Sequence, residues 1–185
     1  LEAPYDVIGS DLFRAGAIIP QSRASMLVSR VVDPRPGERV LDLCAAPGGK
    51  TTHLAALMGD EGEIVAVERH PGRAEALRAT CERMRATIVT VELGDAAVPR
   101  TDRPFDRVLA DPPCSALGTL QARPDARWRG DETRVTELAA LQSRILDAAA
   151  GAVRPGGVLV YSTCTISPAE NEDQVAAFLE RRPDY

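Results

Sequence analysis

Two cysteines of this chain sit where they could do chemistry. Cys114 lies in the run Asp111-Pro112-Pro113-Cys114-Ser115, and Cys164 in Tyr161-Ser162-Thr163-Cys164-Thr165. Each follows an apolar run that reads as a buried strand. A third such run leads into a glycine-rich stretch, Asp42-Leu43-Cys44-Ala45-Ala46-Pro47-Gly48-Gly49-Lys50-Thr51. In an open α/β sheet the carboxyl ends of the strands share one crevice, so the loop and both thiols converge there. A cofactor loop beside two thiols suits covalent catalysis on an electron-poor ring. The plain alternative is two packing cysteines, because a free Cys behaves as a small hydrophobe. Their shared placement at strand ends argues against it.

The elements that would position these residues follow from periodicity. An amphipathic helix is predicted over 21–32, with Ala24, Leu27, Val28 and Val31 on its inner face. Pro34, Pro36 and Gly37 end it. Strands are predicted over 39–44, 63–68, 87–93, 105–111 and 158–162, and helices over 50–58, 71–85, 132–153 and 168–182. Ser167, with Glu170 three residues on, reads as the cap of the last helix. Strands alternating with helices define a doubly wound, mostly parallel sheet.

The glycine-rich corner admits three ligand classes. A phosphate-binding Walker loop needs a glycine where Cys44 stands, and a dinucleotide loop needs G-x-G-x-x-G, which is missing here. What remains is a backbone that a ligand can approach closely. Glu68 ends the second strand and could accept the ribose hydroxyls of an adenosine. Asp95, after the third strand, could accept from its amino group. This arrangement suits S-adenosylmethionine, which carries adenosine without phosphate. Either acid could instead merely cap the helix that follows it.

Bulk properties narrow the setting. The length of 185 residues fits one domain with a sizeable core. The four cysteines are scattered and only His53 and His70 accompany them, so no metal site is expected. No apolar run reaches membrane-spanning length. A free catalytic thiol fits a reducing, cytoplasmic setting. The net charge of −5 is unhelpful for binding nucleic acid. Two arginine groups could offset it locally: Arg123, Arg127 and Arg129 around Trp128, and Arg100, Arg103 and Arg107. A solvated charged face is the plainer reading, and charge neither supports nor excludes RNA.

The motifs together resemble one family, the RNA cytosine-5 methyltransferases of the RsmB/Nop2/Sun group, also called Fmu proteins. The resemblance runs over residues 21–178 and rests on 42–52, Asp111-Pro-Pro-Cys-Ser115, Arg123-Pro-Asp125 with Trp128, Tyr161-Ser-Thr-Cys-Thr165, and Pro168-Ala-Glu-Asn171. It implies a Rossmann-like class I methyltransferase that uses S-adenosylmethionine to methylate C5 of cytosine in RNA. Ribosomal RNA is the first expectation for the target and transfer RNA the second. It implies that Cys164 is the nucleophile, that Cys114 assists product release, and that Asp111 faces the cofactor methyl and cytosine N3. It also implies that Cys44, Ala45, Ala46, Pro47, Gly48, Gly49, Lys50, Glu68, Arg73 and Asp95 line the cofactor site.

Chemistry by itself leaves the two thiols open. DNA cytosine-5 methyltransferases use the cysteine of a Pro-Cys motif, which would select Cys114. An amino-group methyltransferase would place an aromatic where Cys114 stands, so that class is disfavoured. A cofactor-binding scaffold without turnover is the non-enzymatic alternative. Two departures from the family pattern stand out: Ala116 where a glycine is common, and Ser22 after Gln21 where an acid is common. Residues 1–36 read as a remnant of an N-terminal extension with a lead-in helix. Residues 37–185 read as a catalytic domain lacking its terminal strand pair. The sequence pattern does not define an oligomeric state.

Overall fold

The structure, a computed structural model, describes residues 5–100, 103–124 and 131–185. Asp125, Arg127, Trp128 and Arg129 lie outside the described residues.

Strands β1 (Arg39–Leu43), β2 (Glu63–Glu68), β3 (Val89–Leu93), β4 (Phe105–Ala110) and β5 (Val153–Tyr161) form one sheet in the order β3-β2-β1-β4-β5. Every pairing is parallel. Helices α3 (Gly49–Leu57), α4 (Pro71–Met84) and α5 (Glu132–Ala152) connect β1 to β2, β2 to β3 and β4 to β5. Strand order reverses between β1 and β4, which puts the ligand crevice at their carboxyl ends.

The two sheet faces explain the continuous apolar runs. Side chains alternate along a strand, so Val40 packs with Leu54, Met58 and Leu77 on one face. Leu41 and Leu43 pack with Ile145 and Ala149 of α5 on the other. By the same alternation Asp42 points into the first face, where it is 1% exposed. No helix among the described residues is long and apolar enough to cross a membrane.

Four local expectations are corrected. Helix α2 (Arg23–Val32) starts two residues late, because Ser22 caps it by accepting from Ser25 N at 3.2 Å. Its inward stripe is Ser25, Val28, Ser29 and Val32, and Leu27 and Val31 are 60% and 57% exposed. Hydropathy could not find this face, since the fully buried Ser29 sits in its middle. Strand β5 starts at Val153, opposite Phe105, and bulges before Val158 meets Arg107. The last helix is two pieces, a 3₁₀ turn Pro168–Glu170 and α6 (Glu172–Arg181), broken at Asn171. Ser167 makes no side-chain cap, and Glu170 turns inward with no exposure at all.

For the second arginine group the ion pairs favour the plainer reading, a charged face. Arg107 pairs with Glu38 at 3.0 Å, Arg103 with Glu63 at 3.1 Å and Arg100 with Glu92 at 2.7 Å. Arg107 and Arg103 also lie toward the amino ends of the strands, away from the crevice. These cations are matched by carboxylates and do not form a phosphate-binding face.

Candidate active site

Beyond β1, Cys44 takes a left-handed turn (φ 65°) and the chain enters α3 through Gly48. Gly48 has φ 103°, a left-handed conformation that calls for glycine, and a Cβ on it would also crowd Leu77 Cδ1 at 2.8 Å. Nothing lies within 4 Å of where a Cβ on Gly49 would be, which leaves the first turn of α3 open to a ligand. Ala45, Ala46 and Gly48 are buried in the loop, while Pro47 is exposed.

Beside this loop is a cleft with about 460 Å³ of empty space, lined by Cys44, Glu68, Arg73 and Asp95 among others. Glu68 is 3% exposed. Its Oε1 accepts from His70 N at 2.9 Å, while its buried Oε2 has no hydrogen-bond partner and lies 3.4 Å from Arg73 Nη1. A buried carboxylate oxygen without a donor is costly unless a ligand supplies one. A ribose hydroxyl fits that requirement. Arg73 Nη2 also donates to Ala46 O at 2.7 Å, which ties the loop to α4. Asp95 Oδ1 accepts from Ala97 N at 2.9 Å. Both acids therefore brace their own turns and also face the cleft.

Of the glycine loop, Cys44 lines this cleft, while Lys50 turns to Asp111. Lys50 Nζ donates to Asp111 Oδ2 at 2.6 Å, and Ser162 Oγ donates to Asp111 Oδ1 at 2.9 Å. Asp111 thus ties the first turn of α3 to the ends of β4 and β5. Pro113 and, from α5, Leu141 and Ile145 also line the cleft. Sequence periodicity marked α5 as amphipathic but could not show that its inner face reaches the ligand crevice.

Cys114 and Cys164 come together as expected, with their sulfurs 3.1 Å apart. Gly118 N donates to Cys164 O at 3.1 Å, and a Cβ on Gly118 would stand 2.8 Å from that oxygen. Only glycine allows the two loops this approach. Ala116, the departure from the family pattern, adopts the left-handed region (φ 59°) that a glycine would occupy with less strain.

The four thiols differ in acidity. Burial pushes Cys44 up to about 12 and Cys81 up to about 11, so both keep their protons. Cys164 is held down to about 7, first by the hydrogen bond from Cys114 and further by the Lys50 ammonium, against partial burial and Asp111. Cys114 is raised by that same bond and by burial. Of this hydrogen-bonded pair, Cys164 is therefore the more acidic sulfur and Cys114 the less acidic.

A parallel sheet of this order, with a glycine turn after β1 and acids closing β2 and β3, is the frame of the Rossmann-like, S-adenosylmethionine-dependent methyltransferases. Within that class, the model of the 16S rRNA methyltransferase RsmB/F family matches residues 29–185, and the chain belongs to this family. It is 44% identical over 176 residues to a probable ribosomal RNA small subunit methyltransferase B of Synechocystis, covering 94% of this chain and 40% of that protein. It is 37% identical over 182 residues to the probable ribosomal RNA small subunit methyltransferase B of Bacillus subtilis, covering 97% and 41%. The chain thus spans about 40% of the length of these curated relatives. Among solved structures, NSun6 from Pyrococcus horikoshii with SFG superposes with a TM-score of 0.90 at 34% identity, covering 96% of this chain and 46% of that one.

Proposed function

We propose that the site transfers a methyl group from S-adenosylmethionine to C5 of a cytosine in RNA, through a covalent bond between Cys164 and C6 of the base. The observation that carries this reading is the thiol pair: the sulfurs of Cys164 and Cys114 stand 3.1 Å apart, beside the Lys50–Asp111 pair. The names of the curated relatives favour ribosomal RNA as the substrate. The P. horikoshii relative with SFG, an analogue of S-adenosylmethionine, supports the cofactor.

Cys164 adds as a thiolate to C6, forming a C–S bond and pushing the ring electrons toward C5. Asp111, anchored by Lys50 and Ser162, faces N3 and favours its protonation, which makes C6 more electrophilic. When bound against Glu68, Asp95 and the glycine loop, S-adenosylmethionine supplies the electrophilic methyl group that the electron-rich C5 takes. A base then removes the C5 proton, the C6–S bond breaks, and Cys164 leaves as thiolate.

Cys114 is placed to be that base. Its proton is retained chiefly because it donates to the Cys164 thiolate. Once that sulfur is bonded to carbon the charge is gone, and the main hold on the Cys114 proton goes with it. That proton then passes to solvent, and the Cys114 thiolate so formed takes the C5 proton and becomes a thiol again.

The test uses the full-length polypeptide and RNA containing 5-fluorocytosine. Fluorine at C5 cannot leave as a proton, so a covalent protein–RNA band on a denaturing gel is expected. Absence of that band, with cofactor bound and the same RNA methylated when unfluorinated, would overturn the C5 reading in favour of an exocyclic amino group. Absence of methylation on any RNA would favour the scaffold. A separate prediction concerns the cofactor: Glu68→Gln replaces with an amide the carboxylate whose Oε2 is ion-paired to Arg73 but has no hydrogen-bond donor. Its S-adenosylmethionine affinity by calorimetry is expected to fall about 10- to 100-fold, the worth of hydrogen bonds to a charged acceptor.

A further inference from the structure

Glu170 and Asn171 are neighbours in sequence, yet their side chains enter different loops. Glu170, on the Pro168–Glu170 turn, is fully buried. Its Oε1 accepts from Ser115 N at 2.9 Å and from Gln142 Nε2 at 2.8 Å, and its Oε2 accepts from Ser115 Oγ. Gln142 Nε2 also donates to Pro113 O at 2.9 Å. Both neighbours of Cys114 are therefore tied to Glu170, one directly and the other through Gln142.

Asn171 does the same for the other thiol. Its Nδ2 donates to Thr165 O at 3.1 Å and to Ser167 O at 3.0 Å, and its Oδ1 accepts from Thr163 Oγ1 at 2.6 Å. These contacts bracket Cys164 on both sides. The two halves are joined where Ser115 Oγ meets Thr165 Oγ1 at 2.7 Å. Ser115 has one hydroxyl proton and gives it to Glu170, so Thr165 must be the donor to Ser115. Hydrogen-bond direction is thereby fixed from one loop to the other. Tyr161 OH closes the hub by donating to Glu170 O at 2.8 Å.

We infer that Glu170 and Asn171 form a two-pronged clasp whose task is to set the spacing of the two thiols, Glu170 holding the Cys114 loop and Asn171 the Cys164 loop. Neither residue touches a sulfur, so both are positioning residues. The backbone break at Asn171 (φ −126°, ψ −95°) interrupts the helix between them, which is why this stretch is two pieces. The inference rests on the two-thiol reading of the site.

The test is alkylation of Cys164 by iodoacetamide in the full-length polypeptide, followed by mass spectrometry across about pH 5 to 9. The unaltered protein is expected to show a midpoint near 7. In Glu170→Ala and Asn171→Ala, Cys114 is no longer held to donate to Cys164, and the midpoint should rise by about one pH unit or more. Glu170→Gln should restore it, because its amide oxygen still accepts from Ser115 N and Gln142 and its amide nitrogen can donate to Ser115 Oγ. Should Glu170→Ala fail to fold by circular dichroism, Ser115→Ala cuts the joint while leaving the carboxylate, and the same rise is expected. An unshifted midpoint in the folded variants would overturn the clasp. No RNA or cofactor enters this assay, so a missing 5-fluorocytosine adduct beside a shifted midpoint would remove the catalytic reading and leave the clasp standing.

Discussion

Cys164→Ala is expected to lower methyl transfer by about 10⁴-fold or more while leaving S-adenosylmethionine affinity within about twofold. The size follows from the chemistry, because C5 of cytosine is a poor nucleophile until a group has added at C6. The residues proposed to hold the cofactor lie at the ends of β1, β2 and β3, so calorimetry should see little change. Cys114→Ala should behave differently: the attacking sulfur remains but the base is lost. A covalent complex with ordinary, unfluorinated RNA is expected to accumulate on a denaturing gel. The reverse pattern, accumulation in Cys164→Ala and none in Cys114→Ala, would exchange the two roles and keep the reaction. For the unaltered protein, kcat/KM should fall about tenfold per pH unit below 7, where Cys164 becomes protonated, and level off above it.

Asp42→Asn is expected to change the pH dependence of folding. Burial, opposed by the hydrogen bond from Thr51, lifts the Asp42 carboxyl from 3.8 to about 7 in the folded protein. Below the unfolded value both states hold the proton and Asp42 contributes fully. Between the two values only the folded state holds it. Stability is therefore lost as pH rises, at about 1.4 kcal/mol per pH unit, or about 4 kcal/mol across the window. Asparagine has no such proton. The stability of Asp42→Asn relative to the unaltered protein should climb from about pH 4 to 7 and stay flat above, as read by urea unfolding at a series of pH values. A difference independent of pH would mean that Asp42 is ionised in the fold at all these values.

The strands, the glycine corner and the convergence of the two thiols were legible because each rests on a local pattern. Strand β2 carries its apolar run between turn signals, and its bounds agree with the expectation. Burial of Asp42 was accessible too, since it lies mid-run in a strand covered on both faces. Other features depended on long-range geometry. Ser29 is fully buried because α2 lies flat on the sheet, and a polar residue in the inner stripe cannot be seen by hydropathy. Arg103 and Arg107 looked like a basic patch until strand pairing placed Glu63 and Glu38 beside them. Glu170 matched the pattern of a helix cap. Its true partners, Ser115 and Gln142, are 55 and 28 residues away in sequence. Local pattern chose the wrong one of two uses for the same acid.

Two sulfurs on neighbouring strands also bear on how such a site could change over generations. Ala110 is in register with Tyr161, so Cys114 and Cys164 follow adjacent parallel strand ends. Their sulfurs stand 3.1 Å apart, so under the proposed chemistry a base held near one is also near the other. Which one attacks is decided by the proton each keeps, and that depends on the few polar groups around the pair. A lineage could therefore hand the attacking role from one strand to its neighbour through substitutions at those groups, with the sheet and its loops unchanged.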